Sequence, residues 1–256
     1  MADYNNPVLR GQAAADGVMD AGLRAYMLRV YNYMFLGLLV TAIVAYGTYM
    51  LAVTTDPSQA VGRFENGVMV TQFGHVLFGT PLQWVVIFSP LVMVLLIQAR
   101  IPSMSVGAAQ ASFLAYAAVL GISLSTIFVA YTMTSIALVF FITAAMFGGM
   151  SLWGYTTKAD LSGWGSFLIM GVWGIVIASV VNVFLQSQML SFVFSAAGVI
   201  VFTGITAYYS QSIKEMYSVN DDGTVAGRKA VFGALVLYVA FINLFLSLLR
   251  LFGGRR

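Results

Sequence analysis

Residues 101–157 read IPSMSVGAAQASFLAYAAVLGISLSTIFVAYTMTSIALVFFITAAMFGGMSLWGYTT and contain no aspartate, glutamate, lysine or arginine. An α-helix rises about 1.5 Å per residue, so about 20 apolar residues cross the ~30 Å hydrocarbon core of a bilayer. The run is long enough for two crossings and a turn, and Thr132-Met133-Thr134-Ser135 supplies the turn. A second uncharged run, residues 161–213, repeats the arrangement around Gln186-Ser187-Gln188. Barrel strands alternate apolar and polar residues, whereas these segments are apolar on every face, so helices are predicted.

Working outward, the rest of the chain agrees. It is 60% hydrophobic and 8% charged, against about 25% charged in soluble domains. Seven apolar segments are predicted: Val30–Ala52, Leu82–Ala99, Val106–Thr132, Ser135–Tyr155, Trp164–Leu185, Leu190–Ser212 and Ala230–Phe252. The reading is an all-α membrane protein with an N-terminal tail over 1–29, a seven-helix domain over 30–252 and a short basic tail over 253–256. The longest connection, residues 53–79, holds Asp56-Pro57-Ser58 and Glu65-Asn66-Gly67 and is predicted to be a solvated loop. The first 24 residues carry Asp3, Asp16 and Asp20 without a continuous apolar stretch, so no cleavable signal is expected. With no cysteine, disulfides and thiolate metal sites are excluded.

Basic residues orient the spans. Seven crossings put Arg10, Arg24, Arg29, Arg100, Lys158, Lys214, Arg228 and Lys229 on the N-terminal side, and Arg63, Arg250, Arg255 and Arg256 on the other. The side richer in lysine and arginine is cytoplasmic as a rule, so a cytoplasmic N-terminus is expected. A last segment that re-entered would place all but Arg63 on that same side, and the sequence leaves the side of the C-terminus open. The net charge of +3 is read as a topology signal, and no nucleic-acid partner is expected.

An ionisable group inside a span is the default functional hypothesis in a membrane protein. All nine carboxylates, Asp3, Asp16, Asp20, Asp56, Glu65, Asp160, Glu215, Asp221 and Asp222, fall in tails or loops. The single histidine, His75, falls in the first long loop. Metalloprotease and aspartyl protease chemistry lack their ligands and acids, and no phosphate-binding glycine loop is present. No enzymatic activity, cofactor or metal site is expected. The polar groups left within the spans are neutral. Ala240, Asn243, Ser247 and Arg250 share one helical face. Asn243, Ser247 and Asn182 are expected to bond to neighbouring helices, and Arg250 to reach the interface. Gly148-Gly149, Gly171 with Gly174, and Ala196-Ala197-Gly198 mark expected close helix approach. The stretch TAYYSQSIKEMY, residues 206–217, reads either as a helix end at an aromatic and basic interface, as a docking surface, or as an ion-handling site.

Four stretches carry a resemblance: LRAYMLRVYNYMFLGL at Leu23–Leu38, GYTTKADLSGWGSFL at Gly154–Leu168, VFTGITAYYSQSIK at Val201–Lys214 and LYVAFINLFLSLLRLFG at Leu237–Gly253. The chain resembles the bacterial branch of the Bax inhibitor-1 family. The resemblance implies a seven-helix bundle with the last helix central, surrounded by the other six, in a bacterial inner membrane. It also implies a pH-sensitive calcium leak sensed by two aspartates, one in the sixth span and one in the seventh. Two like charges at close range do not both ionise cheaply, and oxygen ligands suit calcium.

This sequence departs from that pattern at both sensor positions, where Tyr209 and Ala240 stand. The resemblance then implies a calcium or cation leak whose pH sensor is absent, with Ser210, Gln211 and Asn243 as a neutral polar pathway. The family's latch arginine corresponds best to Arg100. The alternative reading is a non-conducting protein that modulates a membrane-bound ATP-dependent protease through its N-terminal tail and the 214–229 loop.

Overall fold

The computed structural model describes residues 7–64 and 67–255. Of the residues weighed above, Asp3, Glu65 and Arg256 lie outside that set, as does residue 66. Seven helices among the described residues are long and apolar enough to cross a membrane, with spans at Ala21–Ala52, Leu82–Ser103, Val106–Ala130, Met133–Thr156, Ser162–Asn182, Gln188–Glu215 and Gly223–Phe252. They belong to α1 (Pro7–Ala52), α3 (Leu82–Arg100), α4 (Val106–Leu124) with the short α5 (Ile127–Ala130), α6 (Met133–Thr156), α7 (Ser162–Leu185), α8 (Gln188–Glu215) and α9 (Gly223–Phe252). The first span starts at Ala21 rather than Val30, and Tyr26 and Met27 are already buried in the core.

Polar residues at the turns set the helix ends. A hydroxyl or carboxylate accepting from an amide of the first turn satisfies a donor that has no partner within the helix. Ser105 caps α4 through Ala108 N, Thr132 caps α6 through Ser135 N, Ser187 caps α8 through Leu190 N, and Asp222 caps α9 through Val225 N at 2.6 Å. Gln186 ends α7 in the left-handed region, at φ 50°. The third span is not one continuous helix as predicted. It breaks after Leu124, where Ser125 Oγ donates to Ile122 O at 2.6 Å and Thr126 Oγ1 donates to Ser123 O at 3.2 Å. Such hydroxyls offer the backbone an alternative to helical pairing.

The long connection is likewise more structured than a solvated loop. Gly62–Arg63 (β1) pairs antiparallel with Met69–Val70 (β2), and α2 (Gln72–Gly79) follows, capped by Thr71. Val70 and Leu77 are buried there. His75 lies on α2 facing Gly79, where a Cβ would stand 2.9 Å from its Nδ1.

Helix α9 is the hub. Of the apolar window that defines its span, 78% is buried, against 33% or less for each other span. It packs on α1, α4, α6 and α8, while α3 packs on α4 and α7 on α8. The last helix is therefore central, but it is held mainly by four helices rather than ringed by six. It crosses rather than re-enters: at about 1.5 Å per residue its 30 residues extend about 45 Å. The tail beyond it is pinned to the start of α6, with Thr132 N donating to Gly254 O at 3.1 Å and Gly254 N to Ser135 Oγ at 3.0 Å. Tyr238 of α9 ties into the centre. Thr41 Oγ1 lies 2.9 Å from Ala117 O, 3.0 Å from Gly37 O and 2.6 Å from Tyr238 OH. The threonine's one proton goes to a carbonyl, so the tyrosine donates.

Close approach is real at some of the expected glycines only. A Cβ on Gly171 would meet Val201, and one on Gly198 would sit 2.5 Å from Ser247 Oγ. At Gly148, Gly149 and Gly174 it would meet nothing within 4 Å. Among the glycines of the spans, the closest approach to a neighbouring backbone falls at Gly154, where a Cβ would run into the Ala207 carbonyl and stand 2.8 Å from Ala207 C and Cα.

Candidate functional site

The face where the first span begins is here the N face; α3, α6 and α8 end there, and α9 ends at the opposite C face. A cavity of about 650 Å³ lies between α3, α4–α5, α7, α8 and α9. Along α9 its wall runs from Val239 to Arg250, about 16 Å at helical rise. Gln98, Ser123, Thr126, Tyr209 and Asn243 give it polar groups. Among the described residues of its wall there is no carboxylate, and Arg250 is the one formal charge. Towards the N face, Ile97, Ile101, Ile213 and Val231 are buried together in the core, with Ile213 filling the notch at Gly233. Arg228 Nη1 reinforces this end by donating to Pro102 O at 2.6 Å.

Pro90 of α3 sits in the cavity wall and cannot donate a backbone hydrogen bond. Ser89 Oγ approaches the Val86 carbonyl that this leaves over, at 3.5 Å. A proline is tolerated within a membrane helix where neighbouring helices or hydroxyl side chains take up the backbone group it frees.

The sequence-predicted positions separate in space. Tyr209 and Asn243 line the cavity; Ala240, Ser210, Gln211 and Arg100 do not. Consecutive residues turn about 100° around a helix, so Phe202 and Tyr209, seven apart, share the cavity face, whereas 210 and 211 point away from it. Ser210 Oγ lies 2.8 Å from Thr206 O and 2.7 Å from Ser151 Oγ, which in turn lies 2.6 Å from Tyr31 OH. Gln211 clamps the α6–α7 connection: its Nε2 donates to Ala159 O at 2.8 Å and its Oε1 accepts from Leu161 N at 2.9 Å. Ala240 is 2% exposed, within the central core. Arg100 is exposed at the end of α3.

Asn243 and Ser247 bond to their own helix, through Val239 O and Asn243 O respectively, both at 2.8 Å, rather than to neighbouring helices. Asn182 does bridge helices, donating to Ser191 Oγ at 2.7 Å. Lys214 closes the helix end, donating to Tyr155 O at 2.9 Å with its ammonium over the Tyr155 ring. The cavity residues Gln98, Ser123 and Thr126 were not singled out as a pathway in the sequence. Gln98 closes an apolar run, and Ser123 and Thr126 belong to the short Ser123-Leu124-Ser125-Thr126 stretch within one, and no spacing sets them apart as a pathway. Among the described residues, no group of three histidine or acidic side chains is placed to hold a metal ion.

A family profile described as "Inhibitor of apoptosis-promoting Bax1" matches residues 23–256. The chain belongs to the Bax inhibitor-1 family. A protein of Caulobacter vibrioides is 41% identical over the whole of both chains. The inner membrane protein YbhL of Escherichia coli K12 is 44% identical over 92% of this chain and 94% of its own. The Rickettsia prowazekii protein RP147 is 40% identical over the whole of both chains. This Bax inhibitor-1 family member is a multi-pass integral membrane protein, and its spans contain the polar cavity described above.

Proposed function

We propose that the chain is a passive leak protein of the bacterial inner membrane, with its N-terminus cytoplasmic, and that the α3–α4–α7–α8–α9 cavity is its pathway. The carrying observation is that cavity: its wall has polar groups, no carboxylate among the described residues and the single charge of Arg250, and it reaches about 16 Å along α9 from the C face. The printed name of the Escherichia coli relative supports the inner membrane, and the excess of lysine and arginine at the N face supports the orientation. With tyrosine at 209 and alanine at 240, no carboxylate titrates at the two positions that resemble the family's sensor, so the leak is indifferent to pH over the physiological range. Calcium favours six to eight oxygen ligands, several of them charged. Here it meets neutral oxygens and the guanidinium of Arg250, so this chain passes calcium poorly compared with a carboxylate-bearing variant.

The test is calcium entry into dye-loaded proteoliposomes at acidic and alkaline pH, for the wild type and for the Tyr209→Asp/Ala240→Asp double variant. The expected result is a small, pH-indifferent leak in the wild type and a larger, pH-dependent one in the variant. A strongly pH-dependent wild-type leak refutes the reading. Silence of both proteins, with both folded, favours a non-conducting protein that modulates a membrane-bound protease. Two observations suit that second reading. Towards the N face the packing is apolar, with Ile97, Ile101, Ile213 and Val231 buried together. The loop between α8 and α9 is held in shape by Lys229, which pairs with Asp221 at 2.6 Å and donates to Met216 O at 2.9 Å.

A further inference from the structure

On the opposite side of the bundle, α1 and α6 flank a second cavity, a groove of about 460 Å³. Neither helix packs extensively on the other; among the described residues, α1 packs on α4 and α9, and α6 on α8 and α9. Across the groove the two are joined by the Tyr31–Ser151 hydrogen bond, which continues to Ser210 of α8. These hydroxyls satisfy one another, so the groove presents an apolar surface. Met27, Met34 and Phe147 lie buried along it, and the exposed Leu28, Phe35 and Leu152 stand at its sides. Gly148 keeps it open: a Cβ there would meet nothing within 4 Å.

The two ends differ. Arg24 and Tyr155 stand at the N-face end, and Phe35 and Phe147 at the inner end. From Arg24 to Phe35 is about 16 Å along α1, close to half the ~30 Å hydrocarbon thickness and so to the depth of one leaflet. A helix of that length and ~10 Å diameter fills about 1,200 Å³, far more than the groove holds, whereas a single hydrocarbon chain is slender enough. Arg24 is exposed and in no ion pair among the described residues, and the ammonium of Lys214 lies against Tyr155 at the same end. Cations at headgroup depth attract anionic lipid.

We infer that the α1–α6 groove is a binding site for an anionic phospholipid of the N-face leaflet, with one acyl chain along Met27–Phe35 and its phosphate at Arg24. This site is separate from the polar cavity and does not depend on whether that cavity conducts. Tyr31 and Ser151 form its floor, so an occupied groove shields the hydrogen-bonded chain linking α1, α6 and α8.

The experiment is native mass spectrometry of the full chain titrated with phosphatidylglycerol or phosphatidylethanolamine. It compares the wild type, Arg24→Gln and Gly148→Phe, each checked for helicity and thermal stability. Each cation at the headgroup contributes about a fivefold preference for phosphatidylglycerol. Arg24→Gln is expected to lower the wild-type preference about fivefold, leaving only what the Lys214 ammonium contributes. Gly148→Phe, filling open space, is expected to bind one lipid fewer of either kind. An undiminished phosphatidylglycerol preference in Arg24→Gln overturns the headgroup assignment. Unchanged stoichiometry in a folded Gly148→Phe overturns the groove. If the bulky variant fails to fold, Arg24→Gln alone decides, because its side chain is exposed. A dimer that dissociates on Gly148→Phe while lipid binding persists makes the groove a contact between copies and also overturns the proposal.

Discussion

Replacing Gln211 with alanine separates a structural clamp from a pathway residue. The side chain is 5% exposed and makes two hydrogen bonds, to Ala159 O and from Leu161 N. Ala159 is exposed, so water can take over at its carbonyl, and that loss is worth about 0.5 kcal/mol. Leu161 is 8% exposed, and leaving its amide unpaired costs about 1–3 kcal/mol. The sum is about 1.5–3.5 kcal/mol, and for a chain of this size each kcal/mol lowers the melting temperature by about 2–4 °C. A fall of roughly 3–14 °C is therefore expected in thermal unfolding of the detergent-solubilised protein. Hydrogen exchange adds a local readout, because the Leu161 amide should lose its protection. Flux through proteoliposomes, scaled to folded protein, should stay the same. An unchanged melting temperature together with altered flux would refute the reasoning and return Gln211 to the pathway.

Two further outcomes follow from the contacts. Gly154→Ala drives a methyl group into the Ala207 backbone, which cannot swing aside as a side chain would. It is expected to destabilise by about 1–3 kcal/mol in denaturant unfolding, whereas Gly174→Ala, facing open space, should be neutral or slightly stabilising. Asp160, in the α6–α7 connection, has its carboxyl held below the ordinary range by hydrogen bonds from the Ser162 side chain and backbone. A depressed carboxyl stabilises the fold above its unfolded value, and that contribution disappears as pH falls through the folded value. The effect is small because the group is fully exposed. Asp160→Asn should flatten the acid limb of stability against pH, and an unchanged limb would count against this pairing.

The sensor-like positions show how far residue identity carries. Tyr209 and Ala240 were legible as a matched pair of departures because the residues around them resemble the family. Their surroundings were not legible: one side chain borders a cavity and the other is sealed in the core. Ser210 and Gln211 read as one polar cluster with Tyr209, yet each belongs to a different contact, on α6 and on the α6–α7 connection. Likewise Ala240, Asn243, Ser247 and Arg250 share a helical face in projection. Close packing against Gly198 takes Ser247 away from the cavity that Asn243 and Arg250 line.

By itself the sequence determined the seven apolar segments and the absence of carboxylates within them. Hydrocarbon satisfies no backbone hydrogen bond, so an uncharged run of that length has only the helix available to it. The turns at Thr132–Ser135 and Gln186–Gln188 were legible too, and within them the structure makes Thr132 and Ser187 the caps of α6 and α8. Tertiary structure alone decided which four helices hold α9, that α9 crosses and returns its tail to α6, and which polar residues face a cavity. Every face of these helices is apolar enough for lipid, so hydropathy carries no signal for rotation about the helix axis. That rotation is set by contacts such as Gly154 on Ala207 and Gly198 on Ser247, where van der Waals packing drives association in place of the hydrophobic effect.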